Sequence, residues 1–318
     1  MEKIKFRLPT KDEVLKVYKK SPIKVVDLFV YVMLILMAFI FLYPFMYMVI
    51  NSFKSYSDII NATVKWIPKN LTLHSYKTVL TVMRLEHTLP NSFIVTSLAT
   101  LGHVVSCSFI AYGFARYKFP LSSVFFGIVI LSILMPIQVI IIPMYITYST
   151  FGVLGTYIPL IVPCFFGFGL KGGLFVFLYR QYFLGIPKSL EEAASIDGCG
   201  PMKTFFKIAL PSAGSTTIVC LVLSLVWHWN DFYEPGLYLK EYNDMLLPQI
   251  VASLKSLIQV MQNQLLEGSD AGSTEANLFH DGVVMAGTCF SMLPPMIAYL
   301  LLQRKFMEGI ERSGLTGM

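Results

Sequence analysis

Five long stretches of this chain contain no charged side chain, and they restrict its fold more than any other feature. They cover residues 28–53, 88–115, 119–170, 208–230 and 282–303. A helix of about 20 apolar residues crosses a bilayer, and lipid leaves the backbone few other ways to satisfy its hydrogen bonds. Only 14% of the residues are charged, whereas soluble domains carry roughly a quarter. The predicted fold class is therefore an all-α integral membrane protein.

Six transmembrane helices are predicted from these stretches. The run 119–170 is too long for one helix, and Phe151-Gly-Val-Leu-Gly155 with Pro159 marks a turn inside it. The spans are then expected at about 27–52, 88–113, 121–146, 157–181, 212–231 and 282–303. Met135-Pro136 and Pro143 are expected to kink the third span, because proline lacks an amide donor.

The distribution of basic residues predicts the orientation. With the N-terminus inside, 17 of the 25 Lys and Arg residues fall in inner segments and seven in outer segments, while Lys171 lies within the fourth predicted span. Cytoplasmic loops are enriched in Lys and Arg. Both termini are therefore predicted to be cytoplasmic. The net charge of +6 is attributed to this topology and not to nucleic-acid binding.

This topology predicts a cytoplasmic basic segment at 1–25, a six-helix membrane domain at 26–303 and a cytoplasmic tail at 304–318. Extracellular loops at 53–87 and 232–281 and a cytoplasmic loop at 182–211 lie within the membrane domain. The N-terminal segment does not resemble a cleavable signal peptide, because its apolar span is too long and no small-residue cleavage site follows. Residues 11–20 fit either a basic surface helix or a flexible tail.

The last outer loop has its own pattern. Leu246 to Leu266 is predicted to form an amphipathic helix, and 267–277 is polar and expected to be mobile.

A compact polar unit interrupts the apolar spans between residues 189 and 211. Ser189 is expected to cap a helix, with Glu192 reaching back to it in a capping box. Gly198 supplies a left-handed stop, Pro201 opens a second helix and Pro211 closes it. Two short helices that meet at a glycine predict a rigid socket for a partner protein at the membrane surface.

Several kinds of chemistry have no motif in this chain. The phosphate-binding G-x-x-x-x-G-K-[ST] loop, the metalloprotease H-E-x-x-H and the nucleophile elbow G-x-S-x-G are missing from the sequence. The histidines at 74, 87, 103, 228 and 280 are scattered, which argues against a metal cluster. The cysteines at 107, 164, 199, 220 and 289 fall in spans or on the inner side, so no disulfide framework is predicted.

Glu192-Ala-Ala, Gly198, Ile208 and Leu210-Pro211 have the spacing of the EAA loop, and on these residues the chain resembles importer-type ABC transporter permeases. Over roughly 25–315 it is similar to the sugar-importer branch, particularly the smaller, six-helix permease of the maltose-type pair. The further matching pieces are Trp66-Ile-Pro-Lys-Asn with Tyr76, Asn91-Ser92, Ala111-Tyr-Gly-Phe-Ala-Arg-Tyr-Lys-Phe119, Met135-Pro136 with Ile142-Pro143, Trp229-Asn-Asp-Phe232 and Gln303-Arg-Lys-Phe-Met-Glu-Gly309. The ending Gly314-Leu-Thr-Gly317 and the long loop before the sixth span depart from the family pattern.

This resemblance implies a type I ABC importer permease in the cell membrane, surrounded by lipid. Its implied partners are a second homologous permease subunit, two cytoplasmic ABC ATPase subunits, an extracellular substrate-binding protein and a carbohydrate, but no nucleic acid. ATP and Mg would be bound by the ATPase subunits, so no cofactor, metal or catalytic residue is expected in this chain. ATP-driven closure of the ATPase dimer would pull the coupling helices together and turn the cavity outward.

The resemblance also implies which residues couple to the ATPase. They are Glu191, Glu192, Ala193, Ala194, Asp197, Gly198, Leu210 and Pro211. Glu192 either completes the capping box or contacts the ATPase, and Asp197 is either a partner contact or a local cap. Ala193 and Ala194 permit close approach, and Gly198 is assigned to backbone geometry.

A second group of candidates concerns the substrate path, namely Lys171, Trp227, Trp229, Asn230 and Asp231. Lys171 is nine residues from Arg180 and so about 13 Å deeper along a helix, where a charge usually faces a cavity or a partner. It either pairs with the companion permease, snorkels, or contacts the substrate. The segment Trp227 to Tyr233 is either a membrane-interface aromatic belt or a sugar-stacking surface.

The function expected from the sequence is thus the permease subunit of an ATP-driven importer for a carbohydrate, an oligosaccharide in particular. A permease for a non-sugar solute and a stand-alone secondary transporter or channel are the alternatives. An intramembrane enzyme would need a catalytic dyad, which the sequence does not display.

Overall fold

The computed structural model describes residues 25–268 and 280–315, where the regular secondary structure is helical apart from one isolated antiparallel bridge between Lys54 and Leu71. In chain order the helices are α1 (Val25–Ser52), α2 (Tyr56–Ile60), α3 (His74–Val82), α4 (Leu85–Arg116), α5 (Ser122–Leu134), α6 (Ile137–Thr150), α7 (Ile158–Ile161), α8 (Gly172–Gly185), α9 (Lys188–Ile196), α10 (Pro201–Ser212), α11 (Gly214–Asn230), α12 (Tyr233–Tyr238), α13 (Leu247–Gly268) and α14 (Asp281–Leu315). Residues 1–24 of the predicted basic N-terminal segment and residues 269–277 of the predicted polar stretch lie outside the described residues. The all-α prediction is confirmed for the rest.

Three single helices, α1, α4 and α14, are long and apolar enough to cross a membrane. They coincide with the first, second and sixth predicted spans. The large apolar side chains of α1 are almost all exposed in the isolated chain, and α1 packs against α14. Such a continuous apolar surface requires lipid or another protein to cover it.

Helix α4 is the centre of the bundle and packs against α8 and α11. Small and weakly polar side chains line its buried face, which lets neighbouring backbones approach closely, as in membrane helix packing. Gly102 shows how close the approach is: a Cβ atom there would lie 2.9 Å from the Phe165 ring and 3.0 Å from the Cys164 backbone. Any larger residue would push the 162–166 turn away from α4.

The third and fourth predicted spans are not single helices. Met135-Pro136 separates α5 from α6, and the two helices are bent by 104°, so the predicted kink is a full break. Pro143 lies inside α6 and does not end it. The predicted span 157–181 divides into α7, a 3-10 turn at Val162–Phe166 and α8. Between turn and helix, Gly167, Gly169 and Lys171 all have positive φ, which no α-helix accommodates.

The fifth predicted span corresponds to α11, which meets α10 at an angle of 77°. With each bent pair counted as one span, up to five crossings satisfy length and composition in the described ranges. The count of six therefore stays a prediction.

The two predicted outer loops are ordered where they are described. In the first, the buried ammonium group of Lys54 donates to the carbonyl groups of Val64 (2.9 Å) and Lys65 (2.7 Å). In the second, α13 confirms the amphipathic helix, since Leu247, Ile250, Leu254 and Ile258 are buried against α3, α4 and α14. The first part of the second outer loop is therefore packed against the bundle.

Candidate functional site

The predicted polar unit forms two short helices, α9 and α10, which we call the elbow (residues 187–212). Helix α9 begins at Lys188 with Pro187 at its N-cap, and no side chain caps it. The predicted Ser189–Glu192 capping box is therefore wrong. Pro187 already has the extended entry conformation, so Ser189 lies one residue inside the helix. The carboxylate of Glu192 is exposed and not used as a cap.

The end of α9 confirms the prediction for Gly198. This glycine has φ +76°, and it forms a Schellman motif in which the Cys199 amide donates to the Ala194 carbonyl (2.9 Å) and the Gly198 amide to the Ser195 carbonyl (3.1 Å). A Cβ atom at position 198 would meet no atom within 4 Å. The need for glycine is therefore conformational and not steric.

The second half of the elbow begins where it was predicted and ends one residue later. Pro201 is the first residue of α10 after Gly200. The helix continues through a π-helical turn at Phe205–Ala209, in which the Leu210 amide donates to the Phe205 carbonyl, and it ends at Ser212. Pro211 therefore lies in the last turn and not beyond it. The wide turn accommodates a proline that has no amide hydrogen.

An ion pair attaches α9 to the end of α4. The Nε atom of Arg116 lies 2.7 Å from Glu191 Oε1, and the Arg116 and Glu191 side chains are only 6% and 19% exposed. A second nitrogen of Arg116 donates to the Ile186 carbonyl at 2.8 Å. We call this pair the latch (Arg116 and Glu191). Glu191, predicted as an ATPase contact, is therefore largely occupied within its own chain.

Apolar packing attaches α10 to the same bundle. Phe205 and Ala209 are buried in a cluster with Tyr112 of α4 and Phe183 of α8. The hydroxyl group of Tyr182 also donates to the Ser212 carbonyl. Both halves of the elbow are thus held against the helices that form the centre of the molecule.

The remaining predicted coupling residues differ in the exposure of their side chains to solvent. Glu192, Ala193, Asp197 and Gly198 are exposed, whereas Ala194 is buried. Leu210 is partly buried against the cluster around Phe205, and Pro211 is exposed. Their roles toward an ATPase stay predictions.

Two features of the elbow were not predicted from the sequence. One is Ile196, whose side chain is 87% exposed; its position just before the predicted glycine stop could have indicated it as a candidate contact residue. Arg116 lies in the stretch Ala111–Phe119 that resembles the permease family, and no local pattern connects it to a glutamate 75 residues later.

The predicted path residues occupy different environments. Lys171 is not inside a helix: it precedes α8 with φ +63°, and it is exposed. Trp229 is buried at 2% exposure, and its indole nitrogen donates to the Ser291 carbonyl at 3.0 Å. Neither an aromatic belt nor a sugar-stacking surface describes Trp229, whose buried ring packs against α14.

The other three path candidates lie at the end of α11. Trp227 is partly buried with its ring 5.7 Å from that of Phe175. The exposed Asn230 donates to the Val226 carbonyl, and the Asp231 carboxylate accepts from the Tyr233 and Glu234 amides. Their roles toward a substrate stay predictions.

Three potential metal ligands lie close together, although the scattered histidines predict no metal cluster. His103, Cys164 and His228, which are far apart in the sequence, bring three donor atoms within 4.8 Å of one another in the bundle interior. Helix packing joins them, and their spacing along the chain does not reveal it.

Known proteins resemble this chain over most of its length. Residues 105–307 match the family described as the binding-protein-dependent transport system inner membrane component. The probable starch degradation products transport system permease protein AmyC of Thermoanaerobacterium thermosulfurigenes is 31% identical over 87% of this chain and 92% of its own length. The sn-glycerol-3-phosphate transport system permease protein UgpE of Pectobacterium atrosepticum is 29% identical over 89% of this chain and 95% of its own length.

The fold also has a solved counterpart. A chain in the crystal structure of a bacterial ABC transporter involved in the import of the acidic polysaccharide alginate aligns with a TM-score of 0.74. The alignment covers 90% of this chain and all of that chain at 20% identity. This likeness concerns the fold alone.

Proposed function

Because this chain belongs to the family of binding-protein-dependent transport system inner membrane components, we propose that it is the membrane-spanning permease subunit of an ATP-driven importer for a carbohydrate, in particular an oligosaccharide. An extracellular binding protein delivers the substrate, and a second homologous permease completes the path. Two ATPase subunits bind ATP and Mg on the cytoplasmic side, where both termini of this chain lie. The family is one of transport permeases and not of enzymes.

The observation that carries this proposal is the elbow, which is attached to the helix bundle on one side and exposed on the other. On the side that faces the bundle, Arg116 and Glu191 hold α9, and the buried Phe205 holds α10. On the exposed side, the acidic side chains of Glu192 and Asp197 lie in the same short segment as the exposed side chain of Ile196. Several exposed apolar side chains on one small element favour a protein contact, and Leu190 and Met202 are also at least half exposed.

The anchoring suggests how motion would pass from the ATPases into the membrane. A contact that displaces α9 acts through the latch on α4, the central helix of the bundle. Displacement of α10 acts on the cluster around Phe205 and, through the 77° bend, on α11. Coupling over such distances requires packed, discrete contacts, and a free loop would not transmit it.

For the substrate path we propose Lys171 as a polar contact. It is exposed, and it stands at the N-terminus of α8, where the helix dipole adds partial positive charge. Together these charges favour a carboxylated sugar over a neutral one. Pairing of Lys171 with an acidic residue of the companion permease is the competing role.

The decisive experiment reconstitutes the chain with its companion permease and ATPases in vesicles and measures ATP hydrolysis and uptake together. The panel comprises binding proteins loaded with a neutral oligosaccharide, an acidic oligosaccharide or glycerol 3-phosphate. We expect stimulation of both activities by an oligosaccharide-loaded protein. Stimulation by glycerol 3-phosphate alone would contradict the substrate class, and uptake by this chain alone without ATP would identify a channel or secondary transporter.

A further inference from the structure

Three elements of the bundle bring metal-ligating side chains to one buried point. His103 lies on α4, Cys164 in the 3-10 turn Val162–Phe166, and His228 on α11. Their exposed fractions are 1%, 1% and 8%. Neither the elbow nor the proposed substrate path uses these three side chains.

The distances between the donor atoms fit a tetrahedral zinc ion. With Zn–N bonds of about 2.0–2.1 Å and a Zn–S bond of about 2.3 Å, two nitrogen ligands are about 3.3 Å apart and a nitrogen and a sulfur about 3.6 Å. His103 Nδ1 and His228 Nε2 are 3.3 Å apart, and His228 Nε2 is 3.8 Å from Cys164 Sγ. All three donor atoms lie within 4.8 Å of one another, so a small inward shift completes the triangle.

The hydrogen bond from His103 Nε2 leaves Nδ1, the nitrogen that faces His228, able to bind a metal ion. Its Nε2 atom is 3.2 Å from the Phe168 carbonyl, which only accepts, so the ring proton must be on Nε2. The Nδ1 lone pair therefore faces His228. A histidine that binds a metal through one nitrogen commonly donates from the other to a carbonyl group. The hydroxyl oxygen of Ser224 lies 3.2 Å from His103 Nδ1 and would be the fourth donor, beside two nitrogens and one sulfur.

The donor set also fits zinc. Zinc is bound in proteins by histidine nitrogen and cysteine sulfur. It binds the thiolate form of cysteine, so zinc binding would release the Cys164 proton. The thiolate would then offset one of the two positive charges of the ion, and a buried charge is costly unless it is paired.

We propose that His103, Cys164 and His228 bind one Zn²⁺ ion, with the Ser224 hydroxyl group as the fourth donor. The ion fastens the interrupted segment between α7 and α8 to the two central helices. It thereby fixes the left-handed residues Gly167, Gly169 and Lys171 and the start of α8. This is a structural metal site, and the proposal does not depend on the nature of the transported substrate.

The test uses the full-length chain, purified in detergent with a tag that contains no histidine, stripped with a chelator and titrated with Zn²⁺. Elemental mass spectrometry measures bound zinc, and thermal unfolding measures the consequence. We expect about one zinc per chain and a rise in melting temperature. Cys164→Ser should lower the zinc affinity by about a hundredfold, because a hydroxyl group is a poor substitute for a thiolate.

Cys164→Ser also separates a zinc site from plain hydrogen bonding. The Cys164 thiol donates to the Leu160 carbonyl at 3.4 Å, and serine retains this bond, so the fold is preserved without the metal ligand. Cys220→Ser is the matched control, since Cys220 is equally buried, on α11, but lies in the cluster around Phe205.

Three results would overturn the proposal. Zinc retention that is equal in the wild type and in Cys164→Ser would show that the ion binds elsewhere. Equal melting temperatures with and without zinc would mean that the cluster is held by hydrogen bonds alone. Tight binding of Cu⁺ in a parallel titration, with none of Zn²⁺, would exclude the assignment to a divalent ion.

Discussion

The latch between Arg116 and Glu191 allows the sharpest test of how the elbow works. The substitution Glu191→Gln keeps the size and shape of the side chain but removes its charge. Arg116 then retains its bond to the Ile186 carbonyl and loses its charged partner at 2.7 Å. Because both side chains are mostly buried, water does not readily replace the lost partner.

The magnitude follows from this burial. A hydrogen bond to a charged group is worth about 1.5–3 kcal/mol, and exposed ion pairs are worth about 1 kcal/mol or less. We therefore expect Glu191→Gln to weaken the docking of α9 by about 2 kcal/mol, which is about a 30-fold shift toward an undocked elbow. A loosened elbow should still bind the ATPase but transmit less motion.

The measurement is the ratio of sugar transported to ATP hydrolysed in reconstituted vesicles. We expect this ratio to fall several-fold in Glu191→Gln, with basal ATP hydrolysis unchanged. Glu308→Gln is the matched control, because the Arg304–Glu308 pair is longer at 3.4 Å and its side chains are 92% and 57% exposed. The exchanged pair Arg116→Glu with Glu191→Arg should restore part of the ratio. An unchanged ratio in Glu191→Gln would refute a coupling role for the latch.

Four further outcomes are expected. Gly198→Val should uncouple ATP hydrolysis from uptake, because a β-branched residue at φ +76° costs about 1–2 kcal/mol; full uptake would contradict the Schellman turn as the source of stiffness. Ile196→Lys should reduce co-purification of the ATPase about tenfold, consistent with the burial of one large apolar side chain, and equal recovery would place the docking surface elsewhere. Lys171→Met should lower uptake but leave unstimulated ATP hydrolysis intact, and normal import would remove Lys171 from the path. Trp229→Phe should cost at least about 1 kcal/mol of stability through the lost bond to Ser291 and the space left by the smaller ring, seen as a lower melting temperature in detergent; an unchanged melting temperature would show that neither contributes.

The chain's own sequence determined the parts of the structure that depend on neighbouring residues. Uncharged runs of about 20 residues require helices in lipid, and α1, α4, α11 and α14 follow them closely. The turn at Gly198 and the start at Pro201 were also predictable, since left-handed backbone and a missing amide hydrogen are properties of single residues. The same local reasoning placed the amphipathic helix α13.

Two local predictions were wrong. Pro187 occupies the N-cap position, so α9 begins at Lys188 and the Ser189–Glu192 capping box does not form. The fourth predicted span is interrupted at 162–171, where the turn packs against Gly102 of α4. Apolar composition alone does not distinguish such a broken segment from a continuous helix.

Only the tertiary structure decided which distant side chains meet. The latch joins residues 75 positions apart, and His103 and His228 are separated by 125. Burial of Trp229 depends likewise on where α14 packs. Propensity and hydropathy act through chain neighbours and the solvent, whereas these contacts depend on helix positions that no local pattern specifies.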